Sequence, residues 1–186
     1  WSFTAQRLAE QFGGGARALH LANPISSELD AMRPSALPNL LAAAGRNLDR
    51  GAENFGLFEI GPAYFGAGPK DQITEACGLR VGAAVVRQWS AETRPADVFD
   101  VKADALAALA SVGVSLSKLK IESTAPKWYH PGRSGTIQMG PKNRLAVFGE
   151  LHPAVVESQG VKVSVLAFQV FLDSIPPLKS KKGKAK

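Results

Sequence analysis

The sequence contains 186 residues, of which 45% are hydrophobic and 20% charged, the proportions of an ordinary globular domain. This length suits one well-buried domain better than two. Every apolar run falls short of the roughly 18 residues that a membrane-spanning helix requires, and the first residues lack the pattern of a signal peptide. With a single cysteine, Cys77, no disulfide can form within the chain. We therefore expect no membrane association and a cytoplasmic location.

The formal net charge of +6 is concentrated at the C-terminus, where five lysines lie between residues 179 and 186. Without these five lysines the chain has 17 basic and 16 acidic residues, so the rest of the chain is almost neutral. A lysine-rich segment that follows Pro176 and Pro177 cannot bury apolar surface. We predict that residues 1–175 form one domain and that residues 176–186 are a basic flexible linker to a missing C-terminal domain. A weak contact of this segment with RNA phosphates is the alternative.

The predicted elements are mostly short strands, interrupted by a few helices. In chain order they are a strand at 1–4, a helix at 6–12, a strand at 18–22, a helix from 35 to 51, strands at 55–65 and 72–86, a helix at 100–113, strands at 119–123, 135–139 and 145–149, a helix at 152–159 and a strand at 163–172. Ser35 is placed to cap the second helix and Gly51 to end it. Adjacent strands with few helices between them favour an α+β fold, with a mainly antiparallel β-sheet flanked by helices.

The segment from Pro126 to Arg133 is predicted to be a loop between two strands, and its composition is typical of a ligand-binding site. Tyr129, His130 and Arg133 place an aromatic ring, an imidazole and a guanidinium beside flexible backbone. Such a set could hold a phosphate or a carboxylate. The alternative is structural, with the glycines shaping a tight turn while His130 and Arg133 make packing hydrogen bonds.

Glu150 and His152 form a second polar pair, in the segment GELHP. Their spacing differs from that of the helical two-histidine zinc motif, and three histidines with one cysteine form no zinc site of familiar spacing. We therefore predict no metal site. Either the pair caps the helix that follows it, or it shares one ligand pocket with Tyr129, His130 and Arg133.

Four segments carry a specific resemblance to a known family. The first, residues 21–41, reads LANPISSELDAMRPSALPNLL and includes Arg33, which could contact a phosphate at the start of a helix. The others are 57–62, 128–135 and 145–153. In composition and order they resemble the catalytic-like module of the bacterial phenylalanyl-tRNA synthetase β subunit. The resemblance implies a class II aminoacyl-tRNA synthetase fold, and the absence of an initial methionine suggests a fragment of that subunit.

The same resemblance carries expectations about function. Class II synthetases bind ATP through arginines in motifs 2 and 3, which offset the charge that develops on the phosphates. The corresponding segments here, 58–65 and 166–173, contain no arginine. The resemblance therefore implies a degenerate module without a catalytic residue or a cofactor of its own.

Such a module pairs with the catalytic α subunit in an (αβ)2 enzyme that attaches phenylalanine to tRNA(Phe). ATP and Mg belong to that whole enzyme. The long motif 1 helix expected before residue 1 is absent from the sequence, so we also expect an exposed apolar patch. The alternative function is a small-ligand-binding or enzymatic domain that uses the HPGRSG and GELHP residues.

Overall fold

The computed structural model describes residues 2–85 and 88–177 of the chain. The strands are β1 (Phe3–Thr4), β2 (Ala31–Met32), β3 (Phe55–Tyr64), β4 (Gln72–Val81), β5 (Ala83–Val85), β6 (Arg94–Pro95), β7 (Lys120–Glu122), β8 (Tyr129–Gln138), β9 (Arg144–Leu151) and β10 (Val165–Phe171). The helices are α1 (Gln6–Gln11), α2 (Leu37–Asp49), α3 (Val98–Ser111) and α4 (Pro153–Glu157), with 3-10 turns at Arg17–Leu19, Leu116–Lys118 and Leu172–Ser174.

Within the described ranges, six strands form one antiparallel sheet in the order β3-β4-β10-β9-β8-β7. Two smaller sheets pair β1 with β2 and β5 with β6. This architecture confirms the predicted α+β fold with a mainly antiparallel sheet. No helix in the described part of the chain is both long and apolar enough to cross a bilayer.

The central strand β10 shows why both faces of the sheet are covered. Side chains alternate between the faces of a strand, and both sets on β10 are apolar except for Gln169 on the α2 side. Ala167 and Phe171 belong to the core beneath α2, whereas Phe168 and Val170 belong to the core beneath α3. The sheet is therefore a middle layer between helices.

The helix α2 begins close to the predicted position. The Ser35 hydroxyl accepts the Leu37 N–H at 3.1 Å, although the N-cap residue is Ala36, one position later. Pro38 lies in the first turn, where its missing N–H costs nothing. Gly51 follows the helix with a φ of +86°, a value that favours glycine.

The helix α3 begins at Val98, two residues before the predicted start. Asp97 caps it, because its carboxylate accepts the N–H groups of Phe99 and Asp100 while the Asp100 carboxylate accepts the Asp97 N–H. This reciprocal arrangement is a capping box. The helix packs its buried side chains, Val101, Ala105 and Leu109, against the sheet.

Three predicted elements are wrong in position. Residues 18–22 form no strand, because the local bond from the Leu19 N–H to the Ala16 carbonyl builds a 3-10 turn instead. The predicted strand 72–86 is divided by Gly82, which turns the chain with a φ of +81°, into β4 and the short strand β5, and residue 86 lies outside the described residues. The predicted loop at 126–133 is largely strand, since β8 already begins at Tyr129. A shift in the β8–β9 register between Tyr129 and Ser134 accommodates the proline and glycine there.

The division into a domain at 1–175 and a linker at 176–186 stays a prediction. Every strand and helix in the described ranges lies between residues 3 and 174. Residues 178–186, which include the five C-terminal lysines, fall outside the described residues.

Candidate functional site

A buried polar network lies between α2 and the sheet, centred on Gln169. The amide oxygen of Gln169 accepts hydrogen bonds from Trp128 Nε1 at 3.1 Å and from the Tyr129 hydroxyl at 3.3 Å. Its amide nitrogen donates to Ser35 Oγ at 2.9 Å and to Glu75 Oε2 at 3.3 Å. One side chain therefore joins β10 to β4, to the start of β8 and to the entry of α2.

Glu75 ties this network to the first turn of α2. Its Oε1 accepts the Ala36 N–H at 2.5 Å, and the side chain is fully buried. A helix N-terminus is the positive end of the helix dipole, so a carboxylate is stabilised there. The network thus satisfies a charge that would be costly to bury alone.

The network also surrounds two groups that could in principle be reactive. Burial, followed by the nearby Glu75 carboxylate, raises the pKa of the Cys77 thiol well above its ordinary value. Burial raises the pKa of the Tyr129 hydroxyl in the same way, and Cys77 and Glu75 add to the effect. Both side chains are therefore neutral at physiological pH. The predicted burial of Cys77 is confirmed.

Sequence reasoning missed Glu75 and Gln169. A signal was present, because each is a polar residue in a strand run that is otherwise apolar at inward-facing positions. Such residues are kept inside a fold only with hydrogen-bond partners. The partners lie far away in the chain, so the sequence does not identify them.

Arg33, predicted to contact a phosphate, is instead buried against β3. Its Nη1 lies 2.5 Å from Glu59 Oε1, and its Nε donates to the Pro62 carbonyl at 3.0 Å. The Arg33 side chain is 2% exposed and that of Glu59 34%. A Cβ at Gly61 would lie 2.5 Å from Arg33 Nη2, so the missing side chain of Gly61 makes room for the guanidinium.

Arg133 and Glu150 form a second ion pair, on the surface of β8 and β9. Arg133 Nε donates to Glu150 Oε2 at 2.5 Å and Nη2 donates to Oε1 at 3.1 Å. Ser164 also donates to Oε1. Burial by itself raises the pKa of Glu150, but the hydrogen bonds from Arg133 and Ser164 outweigh it, so the pKa lies below its ordinary value.

Of the five residues predicted to share one pocket, the structure brings together only Arg133 and Glu150, in the ion pair just described. Tyr129 points into the core, as described above. The His130 Nδ1 accepts the Gly132 N–H at 3.1 Å and shapes the local turn. The His152 Nδ1 accepts the Ala154 N–H at 3.2 Å and caps α4, as one of the two alternatives predicted. Glu150 does not share that cap, because it pairs with Arg133.

A surface cleft of about 200 Å³ lies beside Glu150. Most of its other lining residues come from α4 and the loop before β10, among them Pro153, Val156 and Lys162. The cleft therefore shares one residue with the pocket predicted from the sequence. Among the residues that the structure describes, no group of three or more His, Cys, Asp or Glu side chains is arranged to hold a metal ion.

An apolar surface is found on the outer face of β3, at one end of the large sheet. Phe58 and Ile60 are two positions apart, so their side chains share one face, and they are 79% and 62% exposed. Their cross-strand partners are the small residues Gly78 and Ala76. Phe58 and Ile60 lie on the same side of the sheet as α3, on a strand that α3 does not cover.

This sheet and the helices that cover its two faces define a class II aminoacyl-tRNA synthetase fold. A solved pyrrolysyl-tRNA synthetase from Desulfitobacterium hafniense, PylSc, superimposes with a TM-score of 0.64 over 93% of this chain and 58% of that one, at 14% sequence identity. That likeness concerns the fold alone.

The chain belongs to the phenylalanyl-tRNA synthetase β-chain family, since the family model described as the phenylalanyl tRNA synthetase beta chain CLM domain matches residues 1–172. Two curated relatives are the phenylalanine–tRNA ligase β subunits of Paramagnetospirillum magneticum and Rhodospirillum rubrum. Each is 50% identical to this chain over 186 residues. The chain is covered completely, but it spans only 23% of the length of either relative.

Proposed function

We propose that this chain is a non-catalytic, structural module of the β chain of phenylalanine–tRNA ligase, which pairs with the catalytic α subunit in an (αβ)2 enzyme. In this proposal the whole enzyme attaches phenylalanine to tRNA(Phe) in the cytoplasm, using ATP and Mg. The family membership and the names of the relatives support the ligase role. The division of labour between the subunits is our inference.

The burial of Arg33 and its pairing with Glu59 are the observation on which the proposed non-catalytic role rests. Adenylate formation needs cations that face the phosphates of ATP. The segment that resembles motif 2 lies on β3 and has no arginine of its own. The guanidinium that does lie against this strand is buried, and Glu59 offsets its charge at 2.5 Å.

The space between α2 and the sheet supports the same conclusion. Leu37 and Leu41 of α2 are fully buried in one cluster with Cys77, Leu79 and Ala167 of the sheet. Beside them the network around Gln169 joins the strands to the start of α2. Side chains therefore occupy the volume that a substrate would need on this face.

The exposed face of β3 supports the assembly role. Removing a large apolar side chain from water gains about 1.5–3 kcal/mol before the costs of association are subtracted, and the face offers both Phe58 and Ile60. We propose that this face contacts the α subunit. It also matches the expectation of an exposed apolar patch.

Phenylalanine-dependent exchange of pyrophosphate into ATP tests the non-catalytic role. The complete β polypeptide that contains this chain should give no exchange alone, while the mixture with α should be active. Arg33→Ala in β should leave the exchange rate of an assembled enzyme unchanged, because the guanidinium is not available to ATP. Exchange catalysed by β alone would contradict the proposal.

A further inference from the structure

The hairpin formed by β5 and β6 presents the most exposed aromatic side chain in the described chain. Trp89 lies near its tip, beside the bridge between Gln88 and Ala91, and is 99% exposed. Tryptophan is among the largest apolar side chains and dominates the energetics of many protein interfaces. A fully solvated indole contributes little to the stability of this domain.

The base of the hairpin is held firmly to the domain. The Ala83 N–H donates to Asn54 Oδ1 at 2.6 Å, and the Ala96 N–H donates to the Gly82 carbonyl at 2.9 Å. Gly82 has a φ of +81°, and a Cβ there would collide with the Glu53 carbonyl oxygen. The direction of the hairpin is therefore fixed where it leaves β4.

An ion pair attaches the second strand of the hairpin to α3. The Arg94 guanidinium donates to both carboxylate oxygens of Asp100, at 2.7 and 2.6 Å. Asp100 is also part of the capping box that begins α3. Because β6 is locked to a helix in this way, the described base of the hairpin is preorganised, which lowers the entropy that binding at Trp89 would cost.

The charge around the hairpin favours a protein partner over a nucleic acid. Residues 80–104 contain four acidic and four basic side chains, so the region is neutral overall. Two of the basic ones, Arg80 and Arg94, form ion pairs with Asp104 and Asp100. Nucleic-acid-binding aromatic residues lie in positively charged grooves that follow the phosphates, and the described residues around Trp89 form no such groove.

We propose that Trp89 is an anchor that inserts into an apolar pocket on another domain of the same polypeptide. The curated relatives are about four times as long as this chain, which spans 23% of their length. A tethered domain reaches the hairpin at a high effective concentration, whereas a separate partner must be recruited. This inference concerns contacts within the β chain and does not depend on the proposed pairing with α.

Hydroxyl-radical footprinting with mass spectrometry tests this anchor in the complete β polypeptide, without α or tRNA. Protection of Trp89 is measured as its rate of oxidation relative to that of free tryptophan amide. The exposed side chain of Ile25 serves as the internal reference for an unprotected position. We expect at least tenfold protection of Trp89 and little protection of Ile25. Oxidation of Trp89 at the rate of the free amide would overturn the proposal, even if adding α or tRNA then protected it.

A photo-crosslinking amino acid at position 89 identifies the pocket directly. We expect crosslinks to apolar residues outside this chain's 186 residues, within the same polypeptide. Crosslinks found only to a second polypeptide or to tRNA would contradict the intramolecular contact. Trp89→Ala and Ile25→Ala should both leave the circular dichroism spectrum unchanged. Only Trp89→Ala should increase oxidation of the crosslinked residues. Co-elution with α is measured separately, so failure of the anchor and failure of the assembly proposal remain distinguishable.

Discussion

The buried guanidinium of Arg33 pairs with the partly exposed carboxylate of Glu59 on β3, with 2.5 Å between Nη1 and Oε1. The Arg33 N–H and carbonyl also bond to Ser2 and Tyr64, so the segment before α2 is fixed at both its backbone and its side chain. A buried charge that loses its partner is strongly destabilising. The pair therefore holds the N-terminal segment against the large sheet.

Gly61→Ala should destabilise the domain by about 2 kcal/mol or more, because the new Cβ would displace the Arg33 guanidinium from its partner. The matched control is Gly56→Ala in the same strand, where a Cβ would make an ordinary 3.5 Å contact with the Leu79 carbonyl oxygen. Urea denaturation measures both variants. Equal effects at the two positions would contradict this account of Gly61.

Gln169→Leu should cost about 2–4 kcal/mol, because Trp128 Nε1 and the Tyr129 hydroxyl lose their acceptor in a buried site. Gln138→Leu, which removes a bond to Glu122 nearer the surface, should change the free energy of unfolding by about 1 kcal/mol or less. Thermal and urea denaturation report both values. A cost for Gln169→Leu no greater than for the control would mean that the network contributes little.

The ion pair of Asp100 with Arg94 predicts a pH dependence at acid pH. Hydrogen bonds from Arg94 lower the pKa of Asp100 from 3.8 to about 2 despite partial burial. The lowered pKa stabilises the folded state above pH 3.8, and this contribution is lost as the pH falls towards about 2. Asp100→Asn should therefore be less stable than the native chain near pH 6, and the difference should shrink by pH 2. A difference that is the same at both pH values would contradict the assignment.

Molar salt should reduce the difference at pH 6, because the Arg94 side chain is half exposed.

Cys77 should resist alkylation in the folded protein. Its burial and its raised pKa leave almost no accessible thiolate. Iodoacetamide at pH 8 should modify it only after unfolding in urea, with a rate at least a hundredfold slower in the native state. Rapid modification without urea would show that the core beneath α2 opens readily.

Local patterns predicted the fold better than they predicted the sites. The apolar, strand-like runs of β3 and β10 and the glycine after α2 are local signals, and they predicted those elements nearly at their observed bounds. The second half of β8 was predicted as a strand at 135–139, but its first half was missed because Pro131 and Gly132 suggest a loop. Pairing with β9 and a shift in register keep that half in the sheet. Here tertiary contacts override local propensity.

The roles of the polar residues depend on contacts between distant parts of the sequence. Arg33 looks like a phosphate ligand when it is read with its neighbours, but its partner Glu59 lies 26 positions away on another element. Arg133 likewise pairs with Glu150 across two strands. Nothing in either local segment indicates which charge will neutralise the other, so the sequence identified the residues but not their partners.

The central claim, that this chain is an assembly module, is tested most directly by light scattering on size-exclusion fractions of the α subunit mixed with the complete β polypeptide. Three forms of β are compared: native, Phe58→Ser with Ile60→Ser, and the exposed control Ile25→Ser, each shown by circular dichroism to be folded. We predict a defined complex for the native and control forms, and at least a tenfold weaker one for the double variant. A double variant that assembles with α as the native form does would contradict the proposed interface. A folded native β that elutes apart from α would contradict the assembly role itself.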